Sequence, residues 1–184
     1  MSTDFPTVIL VAGPLQVRGT SSYTLRLAEL LPDCGYAPVI VSPDLAALPE
    51  EGRPECPTYE HLLLSSPLFR PLINGLVAQD AVRHKPHLVH IQSRHALPFG
   101  FALAKRLEIP CLLTIHDHDK ALTRAMSAGQ PQLKQVIAVS SSVKESLASA
   151  NSLSEDMITV IHSGVTVPDL IDNPEVLGAG RIPV

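Results

Sequence analysis

The chain has 184 residues, of which 45% are hydrophobic and 17% charged, with a formal net charge of -4. That length suits one domain that buries about 70% of its unfolded surface, and the balance of apolar to charged residues excludes a disordered chain. The negative net charge removes the electrostatic case for nucleic acid as a partner.

Prolines number 17, nearly twice the usual share of about 5%. Pro38, Pro86, Pro110 and Pro131 fall at element boundaries, where a fixed φ and a missing N–H limit each helix or strand. The three cysteines, Cys34, Cys56 and Cys111, form no C-x-x-C pair. An odd count without that motif fits a reduced, cytoplasmic compartment better than a disulfide framework. The apolar run "FPTVILVAGPL" is too short to span a bilayer and lacks a basic leader. Peripheral association with a membrane through some other patch stays open.

In chain order, "TVILVA" (7–12) is continuously apolar, as a strand covered on both faces should be. "TSSYTLRLAELLPDCG" follows with leucines near helical spacing and Gly35 as a stop. "APVIVS" (37–42) is the second strand. A Pro- and Glu-rich loop over 43–58 leads to a mostly helical region over 59–84, broken near Pro67 and Pro71. "HLVHI" (87–91) precedes a helix over 97–108. "CLLTI" (111–115) precedes a less regular helix over 117–128. "QVIAVS" (135–140) leads into "SSVKESLASA", where Ser142 and Glu145 have capping-box spacing. "MITVIH" (157–162) is the last strand.

Strands that alternate with helices predict an α/β fold: a Rossmann-like, mainly parallel sheet of six or seven strands with helices on both faces. Such sheets bind ligands outside the carboxyl ends of their strands. Each polar cluster falls at such an end: "GPLQVRGTSS", "HIQSRH", "HDHDK", "SSS" and "HSGV". Gly19, His116 and Ser140 are therefore expected along one edge. From 166 the periodicity dissolves, so the domain is expected over 1–165, with 166–184 as a linker towards a further domain.

The first loop is neither a dinucleotide nor a Walker fingerprint. Gly13 and Gly19 are five residues apart, and Thr20-Ser21 follows where Lys-Ser would stand. Two readings remain: a helix N-terminus open to a phosphate, or a plain N-cap by Thr20 or Ser21. "HDHDK" also has several readings. His116 and His118 with His90, His95 and Asp117 supply zinc-type ligands, but no motif such as H-E-x-x-H sets their geometry. A histidine bonded to a polar ligand and a solvated strand end are the others. The serines of "VSSSVKE" lack the G-x-S-x-G elbow of a nucleophile, which leaves capping by Ser142.

Taken together, "RGTSSYTLRLAELLPDCGYAPVIVS", "KPHLVHIQS", "IPCLLTIHDHD", "QVIAVSSSVKESL" and "MITVIHSGVTV" resemble, in order, the motifs of the amino-terminal domain of retaining GT-B glycosyltransferases of family 4. The resemblance covers about 7–168. Arg18-Gly19 stands where the family has Gly-Gly, and Ser163 and Thr166 stand where it has Asn and Asp. The resemblance implies transfer of a sugar from a nucleotide-diphosphate donor to an acceptor, without cofactor or metal. In it, His116 contacts the donor sugar, Gly19 and Thr20 lie beside the diphosphate, and Arg94 and Ser140 face the acceptor. It also implies a carboxyl-terminal domain carrying an E-x7-E motif, without which this half would be inactive. Two rivals remain: a non-catalytic binding module on a flavodoxin- or Rossmann-like sheet, and half of a nucleotide-sugar epimerase.

Overall fold

A computed structural model describes residues 5–16, 19–117, 130–149 and 153–164. The expected helix over 117–128 and the expected linker over 166–184 fall, apart from residue 117, outside these residues. Among them, seven strands form one parallel sheet: β1 (Thr7–Val11), β2 (Ala37–Ser42), β3 (Thr58–Glu60), β4 (Pro86–Ile91), β5 (Cys111–Ile115), β6 (Leu133–Ala138) and β7 (Ile158–Val160). Their spatial order is β3-β2-β1-β4-β5-β6-β7. The chain builds outward from β1 in one direction and then crosses to β4, so the order reverses between β1 and β4. In a doubly wound sheet the crevice for a ligand opens at that reversal.

The helices among the described residues are α1 (Thr20–Leu30), α2 (Arg70–Val82), α3 (Leu97–Leu107) and α4 (Ser141–Ser149). Successive strand residues point to opposite faces, and the core divides accordingly. Val8, Leu10 and Ile40 pack with Ala28 of α1 and with Leu45 and Leu48 of the loop after β2. Ile9, Val11, Ile91 and Leu113 pack with Val77 of α2, Leu103 of α3 and Leu147 of α4. This two-sided burial explains why the strands read as unbroken apolar runs.

The region read as mostly helical from 59 is divided. β3 pairs through Ile40↔Thr58, Val41↔Tyr59 and Ser42↔Glu60, a short 3-10 turn spans Leu62–Ser65, and the helix begins only at Arg70. Pro71 lies in its first turn, where its missing N–H costs nothing. A three-residue edge strand is too brief to leave a periodic signal. Gly35 is left-handed, at φ 80°, as the expected stop requires, although α1 itself gives way one turn earlier to a 3-10 turn at Pro32–Cys34.

Candidate functional site

At the carboxyl ends of β1, β4 and β5 the backbone turns away and polar side chains gather. Gly19 forms the start of α1 with φ 71°, and no side chain caps the helix there. The expected cap by Thr20 or Ser21 is therefore corrected: Thr20 is the first helical residue, and the Ser21 hydroxyl donates to the Pro14 carbonyl at 3.3 Å. Ser21 ties the helix to the loop after β1, and Gly19, the residue at the cap position, has no side chain to offer the first turn of α1.

His116 is the first residue past β5 and is half-buried. Its ring meets Tyr23 of α1 edge-on, with centroids 5.0 Å apart at 76°. The main-chain carbonyl of Gln92 accepts a hydrogen bond from the ring, while Nε2 is buried without a partner among the described residues. Burial pushes its pKa down, against the opposing pull of Asp117 and that carbonyl. A neutral ring that gives its N–H to Gln92 leaves Nε2 as an acceptor. It is suited to a ligand hydroxyl.

His90, one strand away, differs. It is buried, and its Nε2 lies 2.8 Å from the Thr114 hydroxyl. Burial, with the charge of His116 second, drives its pKa down to about 4. Its Nε2 is already engaged, and no group of three or more His, Cys, Asp or Glu that could hold a metal occurs among the described residues. His118 lies outside them. His95 accepts a hydrogen bond from Nε of Arg94 at 3.3 Å.

His116 joins two hollows. One, of about 750 Å³, is shared with Gly19, Tyr23 and Arg26 of the α1 side and with Ser163 and Gly164 after β7. The other, of about 210 Å³, is shared with Ser93, Arg94, Thr114 and Asp117. Gly19 and Arg94 thus both border space that His116 also borders. Ser140 lies at the same edge, just past β6, but lines neither hollow. Its hydroxyl accepts from the Val143 N–H at 3.2 Å and lies 3.0 Å from the Ser142 hydroxyl. The cap of α4 is therefore Ser140, not Ser142 as the spacing suggested.

Sequence reasoning missed Gln92. It is 1% exposed, and among the described residues neither its amide oxygen nor its amide nitrogen has a partner; the Ser93 hydroxyl beside it is also buried and unpaired there. Groups of this kind cost free energy unless something meets them. The only signal was the polar run "HIQS" after an apolar strand. Tyr23 carried none, because an aromatic at helical spacing reads as core.

The model of Glycosyltransferase Family 4 matches residues 17–167. No match occurs among the curated proteins. Among solved structures, a glycosyltransferase from Rickettsia africae is 24% identical with a TM-score of 0.72, over 88% of this chain and 44% of that one. HepE from Anabaena, in complex with UDP and glucose, is 17% identical with a TM-score of 0.67, over 88% of this chain and 47% of that one. The lipopolysaccharide outer core galactosyltransferase WaaB is 12% identical with a TM-score of 0.66, over 89% and 47%. The chain spans less than half the length of each. It belongs to Glycosyltransferase Family 4, with the Rossmann-like fold of an amino-terminal GT-B half.

Proposed function

We propose that this chain forms the acceptor-side wall of a retaining glycosyl-transfer site, with residues 1–165 as the domain and 166–184 as the link to a second one. The donor is a nucleotide-diphosphate sugar. The observation that carries the reading is His116, which borders the hollow that Gly19 also borders and whose Nε2 has no hydrogen-bond partner among the described residues. The UDP and glucose seen with the Anabaena protein support the same donor class.

On this reading Nε2 of His116 accepts from a sugar hydroxyl, and the Gln92 carbonyl and Tyr23 fix the ring for it. The start of α1 at Gly19 and Thr20 faces the developing charge of the leaving diphosphate. Arg94 borders the acceptor. Ser140, proposed there too from the family resemblance, acts from the α4 cap. Nothing in this scheme calls for a metal or a titrating base: transfer rests on holding two reactants in contact. A transferase must also exclude water from the glycosyl centre, which takes a wall on each side. The chain by itself therefore transfers no sugar.

The test compares sugar transfer by the 184-residue chain, by the chain joined to a family 4 carboxyl-terminal half, and by His116→Ala and Gly19→Val in the joined protein. No transfer by the chain alone is expected. His116→Ala loses a neutral hydrogen bond worth roughly 0.5–1.5 kcal/mol, so kcat falls by up to about tenfold, and further if the bond tightens in the transition state. Gly19→Val strains a left-handed position and lowers transfer as well. Transfer by the chain alone, or unchanged kinetics in His116→Ala, would overturn the reading.

A further inference from the structure

Towards the carboxyl ends of β4 and β5 one buried face of the sheet turns polar. His90 pairs with Leu10, which packs with Ala28 of α1, and its ring meets the Thr114 hydroxyl at 2.8 Å. Gln92 belongs to the same band. It stands one residue past the pairs Val11↔Ile91 and Ile91↔Leu113, so alternation gives it the face of His90 and sets it beside Thr114.

The main chain of Gln92 is fully engaged. Its N–H donates to the Val11 carbonyl at 2.9 Å, and its carbonyl accepts from the His116 ring. The carboxamide is not. At 1% exposure, its oxygen and its nitrogen both lack a partner among the described residues. Each unmet group lowers stability, and a Met of similar volume would fill the same space without that penalty. A residue that breaks the rule for buried polar groups in this way serves something other than folding.

Its neighbours indicate where it acts. Ser93, next in the chain, and Thr114, beside it in the sheet, both line the hollow of about 210 Å³ that His116 also lines. The Ser93 hydroxyl is buried and unpaired as well. Three rotatable side-chain bonds let the Gln92 amide reach a group in that hollow while its backbone stays pinned to Val11 and His116.

The unmet atoms define the chemistry of that group. Nε2 of a neutral His116 and Oε1 of Gln92 accept, Nε2 of Gln92 donates, and the Ser93 hydroxyl does both. A phosphate or a carboxylate only accepts, so it would leave both acceptors unmet. Neighbouring hydroxyls each donate and accept, so together they meet every one of these atoms.

We infer that the Gln92 carboxamide is a specificity-determining contact for a polyhydroxyl group, a sugar ring, seated beside His116 in the smaller hollow. The inference rests on the transferase reading above and deepens it with a further residue and a ligand class for that hollow.

The test uses Gln92→Met, which keeps the main-chain carbonyl on His116. In the 184-residue chain the variant should raise Tm by about 2–6 °C, because an unmet amide leaves the interior. In the chain joined to a family 4 carboxyl-terminal half, kcat/KM should fall about tenfold. A rise confined to the KM of the donor assigns the ring to the donor sugar, and one confined to the KM of the acceptor assigns it to an acceptor saccharide. A substrate that lacks the hydroxyl in question should lose rate with the wild-type protein and lose nothing more with Gln92→Met. In the isolated chain labelled with nitrogen-15, the Gln92 side-chain amide resonances should shift with at least one of glucose, galactose and mannose, and not with pyrophosphate. A lowered Tm would show that the amide is already met in the fold, by a structural water for example, and would overturn the inference. Unchanged kinetics, or resonances that answer to pyrophosphate and to no sugar, would overturn it too. Absence of transfer by the wild-type joined protein counts against the transferase reading alone, since Tm and the resonances are read without it.

Discussion

Hollows lie at both ends of the sheet, and the two ends differ in kind. At the amino ends of β2 and β3 a hollow of about 580 Å³ is lined by Phe5, Pro32, Tyr36, Pro38, Cys56 and their neighbours. At the carboxyl ends lie the hollows that His116 joins. Among the described residues, the buried polar side-chain atoms without a partner belong to His61, Arg70, Gln92, Ser93 and His116. Each of these residues follows the carboxyl end of β3, β4 or β5, and none lines the amino-end hollow. Size and apolar lining do not separate the two ends. Unmet hydrogen bonding does, because a chain that only had to fold would not leave such groups unpaired at one edge.

The contrast can be broken through pH first. His90, next to that edge, has a pKa of about 4 in the folded protein and near 6.5 when unfolded. Between those values the unfolded chain binds the extra proton, so stability is full above about pH 6.5 and falls as pH drops towards 4. The loss should be on the order of 3 kcal/mol, because each tenfold difference in proton affinity between the two states is worth about 1.36 kcal/mol. Urea denaturation at pH 7.5 and pH 4.5 measures it. His90→Gln should flatten the dependence, whereas Tyr36→Phe at the amino end should leave it as it is. An equal dependence in His90→Gln would remove His90 from the account.

A smaller effect concerns how the edge is held. A Cβ at Gly100 of α3 would lie 2.5 Å from Cγ1 of Ile91, the residue before Gln92. Gly100→Ala should therefore cost about 1–3 kcal/mol, or roughly 2–4 °C of Tm for each kcal/mol. A variant with unchanged Tm would show that α3 does not brace β4.

The smallest concerns the α4 cap. Ser140→Ala should cost about 1 kcal/mol, and Ser142→Ala roughly half of that or less, both read by thermal denaturation. The reverse ranking would restore the capping box that the spacing of Ser142 and Glu145 suggested.

Much of the fold was legible because the signals are local. Unbroken runs such as Val8 to Val11, buried on both faces, and Cys111 to Ile115, buried but for Leu112, can be read without knowing their neighbours. The alternation with helices then implied a parallel sheet, and with it a carboxyl edge carrying both Gly19 and His116. β3 was not legible, because three residues with mixed burial hold no period of their own and exist as a strand only through pairing with β2.

What the sequence determined by itself was the α/β class, the parallel sense and the polar ends of the strands, since these follow from hydrophobic period and chain length. Only the tertiary structure decided the rest. It set the strand order, with its reversal between β1 and β4. It brought Tyr23 and the Gln92 carbonyl onto the His116 ring, across 93 and 24 residues of chain. It engaged His90 with Thr114 and gave Ser140 the cap of α4. It also left Leu72 and Leu76 outside the core while Ile73 and Val77 went in. The physical reason is the same in each case. Burial and hydrogen-bond pairing depend on which groups meet in space, and residues distant in sequence meet only once the sheet has assembled.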